Sequence, residues 1–75
     1  HLWRWSMPLS LADMNTVYVV KRVTGNDQIR KHLATLGFVE GAEVQVVQSI
    51  DGNLIVEVKN VRVAIDESLA RRVMV

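Results

Sequence analysis

Two histidines, eight carboxylates and no cysteine bound the chemistry open to this chain. His1 opens the sequence, so His32 is the histidine available within it. The residues one helical turn from His32 are Gln28, Ile29, Thr35 and Leu36, none of which completes a helical metal-ligand pair. Glu40, Glu43, Asp66 and Glu67 would hold a hard cation only if the fold gathered them, and thiolate sites are excluded outright. The expectation is therefore no dedicated metal site and no cofactor, with at most weak binding of a metal ion. Nucleophilic catalysis is no better served, because Ser10, Ser49 and Ser68 have no base at a recognisable spacing. Gly25, Gly37, Gly41 and Gly52 stand singly and build no phosphate-cradling loop. The chain is expected to act by binding a partner and not as an enzyme.

A length of 75 residues allows one hydrophobic core. A core of that size leaves about 3–5 kcal/mol of net stability, and no disulfide is available to add to it. No apolar run reaches the roughly 18 residues of a membrane span and no signal-peptide pattern opens the chain, so direct membrane insertion is not expected and a cytoplasmic location is. Nine Lys and Arg oppose eight Asp and Glu. A balance so close to neutral supplies no basic field for nucleic acid. Both tryptophans, Trp3 and Trp5, fall before Met7. From this shift residues 1–6 are expected to be a vector-derived or otherwise non-native leader, the alternative being an aromatic arm that docks on a partner, and residues 7–75 are expected to be the domain.

The elements that must present any binding surface follow from periodicity. Thr16–Val23 has the β-branched richness of a strand. From Asp27 the period changes, with Ile29, Leu33 and Leu36 at i, i+4 and i+7, which predicts a short one-sided helix capped by Asn26 and ended by Gly37. Val44, Val46 and Ile50 then share parity with Leu54, Val56 and Val58. For both sets to face one core the loop between them must be odd, so Asp51-Gly52-Asn53 is expected as a three-residue loop; a two-residue Asp-Gly turn would set Val46 opposite Glu57. The apolar set next moves to Val61, Val63 and Ile65, which requires an even loop at Lys59-Asn60. Asp66–Ala70 reads as a helical turn and Arg71–Val75 as a closing strand. The fold class is mostly β: a small five-stranded barrel with one short α-helix between the first and second strands.

The run Ile29–Val47, with Leu36-Gly37 ending the helix, Phe38-Val39 as an apolar pair, Gly41 in a corner and Glu43-Val44-Gln45-Val46 as a strand, resembles the FeoA family. Leu9-Ser10-Leu11 and Val63-Ala64-Ile65 before Asp66-Glu67 fall where that family has its leading and closing segments, so the likeness extends over Leu9 to Val75. Glu40 stands where the family commonly has Pro, and Asn60 where it commonly has Gly. The resemblance implies an SH3-like barrel and a cytoplasmic accessory of bacterial ferrous iron uptake that docks on the FeoB-type membrane transporter and GTPase and modulates transport. The alternatives it carries are a regulatory domain of an iron-dependent repressor of the DtxR kind and a module that weakly binds ferrous or another transition metal ion. Self-association into a homo-oligomer is left open.

The partner-binding residues expected on this basis are Arg30, Phe38, Val39 and Glu40, at the corner after the helix. Val47 and Ile55, which parity places opposite the core near Ser49 and Glu57, form the competing surface.

Overall fold

The structure is a computed structural model and describes residues 5–75. Residues 1–4 of the expected leader lie outside the described residues. A 3₁₀ turn at Leu9–Leu11 buries Leu9 and leads into β1 (Val17–Val19) and β2 (Arg22–Val23). After helix α1 (Asp27–Leu36) come β3 (Glu43–Ile50), β4 (Asn53–Val58) and β5 (Val61–Asp66), then the one-turn helix α2 (Glu67–Ala70) and β6 (Val73–Met74). The four-stranded antiparallel sheet has the order β1-β3-β4-β5, and β2 pairs with β6 in a separate ribbon.

Where a five-stranded barrel was expected, the described residues form six strands in two sheets, because the first predicted strand is broken at Val20. The Val20 N–H donates to the Ala42 carbonyl at 2.9 Å, and its own carbonyl accepts from the Gly41 N–H at 2.8 Å. One residue on, the Lys21 N–H donates to Met74 O at 2.8 Å. Buried Val20 therefore hands the chain from the β3 ladder to the β6 ladder, keeping its polar groups paired while the backbone turns the corner. The closing strand is shorter than Arg71–Val75, since Arg71 and Arg72 remain in the turn after α2. Past β6, Val75 exchanges backbone hydrogen bonds with Met7 at 2.8 and 2.9 Å, which adds the start of the domain to the ribbon. Beside it, Lys21 Nζ donates to the Trp5 carbonyl.

Two hairpins build the main sheet, and one differs from expectation. The Lys59-Asn60 turn has two residues, both at positive φ of 53° and 65°, and sets Val56 opposite Val63 and Leu54 opposite Ile65. The β3–β4 turn also has two residues, Asp51 and Gly52 at φ of 48° and 83°, where three were expected. The parity conflict is absorbed within the strand. Val44 faces Val58 and Val46 faces Val56, but Gln48 faces Ile55, so Val47 is an extra residue in a β-bulge. A type I′ turn whose twist matches that of the strands is kept, and the bulge restores the core register in the half that matters. Its consequence falls on Ile50, expected in the core: it is turned outward and is 47% exposed, while Ser49 takes the place opposite Leu54.

Helix α1 joins the core through Leu33. The Asn26 side chain accepts from the Ile29 N–H at 2.8 Å, and Gly37 ends the helix at φ 108° with its N–H bonded to Ala34 O. Leu33 enters the core with Phe38, Val44, Val56, Val58 and Val73, while Ile29 and Leu36 pack at its margin.

Candidate functional site

Each chemical group weighed from the sequence has a defined place. Ser68 Oγ donates to Asp66 Oδ1 at 2.7 Å, and the same oxygen accepts from the Leu69 N–H at 2.9 Å. The pair is an N-cap for α2, and these two bonds, the Ser68 hydroxyl first, hold the Asp66 carboxyl below its usual range. Ser10 and Ser49 border a small recess of about 180 Å³ with Gly52, Leu54 and Glu67, which places no histidine beside either hydroxyl. His32 is exposed on α1.

The carboxylates are separated in space. Glu43 begins β3 beside the end of β4, whereas Asp66 pairs with Asn53 at the opposite end of β4. Five residues of extended strand put these ends roughly 17 Å apart. Among the described residues no three His, Cys, Asp or Glu side chains gather to hold a metal ion.

The corner after α1 is held firmly. Phe38 N–H donates to Leu33 O, Val39 N–H to Gly37 O and Ala42 N–H to Val39 O, each at 3.0 Å. Phe38 is 1% exposed, so of the four expected contact residues it is the one the fold withdraws into the core. Val39 and Glu40, the next two residues, are turned to solvent. Arg30 is exposed on α1 and paired with Asp27 three residues earlier, with no ion pair to Glu40 among the described residues. On the competing face, Val47 sits in the bulge and Ile55 lies between Gln48 and Ala64; both are half-buried.

A cavity of about 320 Å³, open to solvent, adjoins the corner, lined on one side by Val17, Ala42 and Glu43 and on the other by Glu57, Lys59 and Asn60. Its floor is the outer face of the sheet, where Val17, Gln45 and Glu57 stand in direct register across three strands. Val17, which lines the cavity, is 56% exposed, and Val19, two residues on, is 48% exposed. Sequence reading missed these residues, although the signal was present: Val17 and Val19 share parity with each other and not with buried Val20. Glu43, Glu57 and Lys59 give the groove mixed charge and Val17 gives it an apolar margin, a combination common at the rims of protein interfaces.

Fold and surface together define a small, mostly β domain of the SH3-like class. The chain belongs to the FeoA family, whose FeoA domain model matches residues 7–75, a non-catalytic accessory family. An iron uptake regulatory protein, FeoA, of known crystal structure is 34% identical, with 93% of this chain and 95% of that one covered and a TM-score of 0.86. FeoA of Stenotrophomonas maltophilia, crystallised with zinc and described as a prokaryotic SH3 domain protein, is 38% identical over 89% of this chain and 86% of that one, with a TM-score of 0.78. A manganese-dependent transcriptional repressor shares the fold at 16% identity and a TM-score of 0.82, and this domain accounts for 40% of its chain. No curated protein matches the sequence. Among the described residues the donors that zinc favours do not converge, since they include no cysteine and one histidine, the exposed His32.

Proposed function

We propose that this chain is a cytoplasmic accessory protein of ferrous iron uptake that docks on the cytoplasmic part of the FeoB-type transporter and modulates its activity. The observation that carries the docking site is the corner Gly37–Ala42: its backbone is fixed by successive hydrogen bonds, yet Val39 and Glu40 are exposed beside a 320 Å³ groove. A rigid exposed apolar residue next to a concavity loses little entropy on binding and can serve as an anchor. Family membership and the ferrous iron transport role for which the Stenotrophomonas relative is described support the choice of partner. Among the described residues no helix is long and apolar enough to cross a membrane, so the transporter supplies the membrane part.

Arg30, Val39 and Glu40 form the proposed contact set, with Phe38 acting beneath them as the packed support. The metal ion is the transporter's cargo in this account. Titration of the chain into the transporter's isolated cytoplasmic domain should give saturable binding of one chain per domain; absence of binding at millimolar concentrations would refute the partner.

A further inference from the structure

We propose that the free edge of β5 pairs with β5 of a second copy of this chain, giving an antiparallel dimer centred on Ala64. The main sheet ends in two edges, β1 and β5. β1 has three residues, whereas β5 has six and contains neither proline nor lysine, the residues that commonly guard an edge. Its outward charge, Arg62, is drawn back to Glu57 at 3.5 Å within the same sheet.

The phase of the ladder fixes which groups are free. Residues flanking a two-residue hairpin turn exchange both backbone hydrogen bonds, so Val58 and Val61 form such a pair, and the same holds for Val56–Val63 and Leu54–Ile65. The N–H and C=O groups of Arg62 and Ala64 therefore point away from β4, toward the open edge. No backbone hydrogen bond from another element reaches them among the described residues.

Side chains then select the register. Matching core face to core face across an antiparallel pair allows a two-fold axis at Val63 or at Ala64. An axis at Val63 would set Arg62 opposite Ala64. An axis at Ala64 sets Arg62 opposite Asp66 of the second copy, twice by symmetry, and Val63 opposite Ile65. Asp66 is equipped for this, since both of its own bonds fall on Oδ1 and leave Oδ2 for an incoming guanidinium. The axis also meets the smallest side chain of the strand, Ala64, which is exposed.

Sedimentation equilibrium of the full chain between about 10 μM and 1 mM, the range of weak self-association, should show a reversible monomer–dimer equilibrium. Ala64→Pro removes an N–H that bonds only to the second copy, and Ala64→Lys leaves the backbone intact while setting two cations on the axis; each should weaken the dimer at least about tenfold. Arg62→Glu should do the same by opposing Asp66. The chain has no cysteine, so Ala64→Cys provides a register test. Paired Cα atoms about 5.5 Å apart are within disulfide reach, whereas Arg62→Cys places its two thiols roughly 14 Å apart. Oxidation with copper phenanthroline should cross-link the first variant and not the second. A chain that stays monomeric over the whole range overturns the proposal and leaves the edge to a strand of another protein. A dimer unaffected by Ala64→Lys, or one that cross-links equally through both cysteine positions, overturns it as well.

Discussion

Gly37 faces Val58 so closely that a Cβ added to it would lie 3.4 Å from Val58 Cγ2, and it does so at φ 108°. Two constraints meet at this one residue. The left-handed backbone ends α1, and the contact seats the corner on the end of β4. A β-branched side chain resists positive φ, and its branches extend beyond a Cβ that would already be in van der Waals contact with Val58. Gly37→Val should lower stability by about 2 kcal/mol or more, with Gly37→Asn costing less. Urea unfolding followed by circular dichroism reads the difference, and an unchanged midpoint for Gly37→Val would contradict the left-handed terminus.

Phe38, one residue on, is expected to matter for folding and not directly for binding. Truncation of a buried phenylalanine to alanine costs about 3–5 kcal/mol. That is comparable with the whole stability of a domain this small, about 3–5 kcal/mol. Phe38→Ala should therefore be largely unfolded at 25 °C, as read by loss of dispersed amide signals in NMR. A well-folded Phe38→Ala chain that has lost only partner affinity would place the ring at the surface instead.

Asp66 gives the domain a defined response to acid. Its carboxyl is held low by the Ser68 hydroxyl and the Leu69 N–H, so the folded state releases this proton more readily than the unfolded chain, where the value is about 4. The resulting stabilisation is fully present above the unfolded value and is lost as pH falls through the lowered folded value. Asp66→Asn keeps a capping oxygen and removes the titration. Its unfolding midpoint should depend less on pH than that of the parent below about pH 4, where the unfolded carboxyl titrates. Parallel profiles for the two proteins would show that the cap contributes nothing to acid sensitivity.

Much of this architecture was legible because local chemistry and global fold agree. Asn26 and Gly37 bracket a helix whose Leu33 must be covered, and the shift in parity after Val58 demanded the even turn at Lys59-Asn60. The β3–β4 hairpin was misread for a definite reason. Parity counting assumes an unbroken ladder, and the extra residue Val47 shifts the count by one without any mark in its own side chain. The break at Val20 was hidden similarly: a β-branched run looks the same whether it pairs with one neighbour or passes between two. At the surface, residue type pointed to the corner but could not separate Phe38, which is buried, from Val39, which is exposed, because burial there is decided by how Gly37 aims the chain. The groove beside it combines Val17, Gln45 and Glu57 from three strands, a juxtaposition that exists only after the sheet has formed.

The central claim is that the transporter is met through the exposed corner, and binding to its cytoplasmic domain by folded surface variants tests it most directly. Arg30→Ala, Val39→Ser and Glu40→Ala change solvent-exposed positions and should each shift stability by no more than about 0.5 kcal/mol. Interfaces concentrate their energy in few residues, so at least one of the three should weaken binding by about 1 kcal/mol or more, roughly a fivefold rise in dissociation constant. Calorimetric titration of these chains is made alongside Val47→Ser and Ile55→Ser, from the outer face of the sheet. The account predicts a loss in the corner set with the two strand variants near the parent value; full binding by all three corner variants, with loss in Val47→Ser or Ile55→Ser, would contradict it.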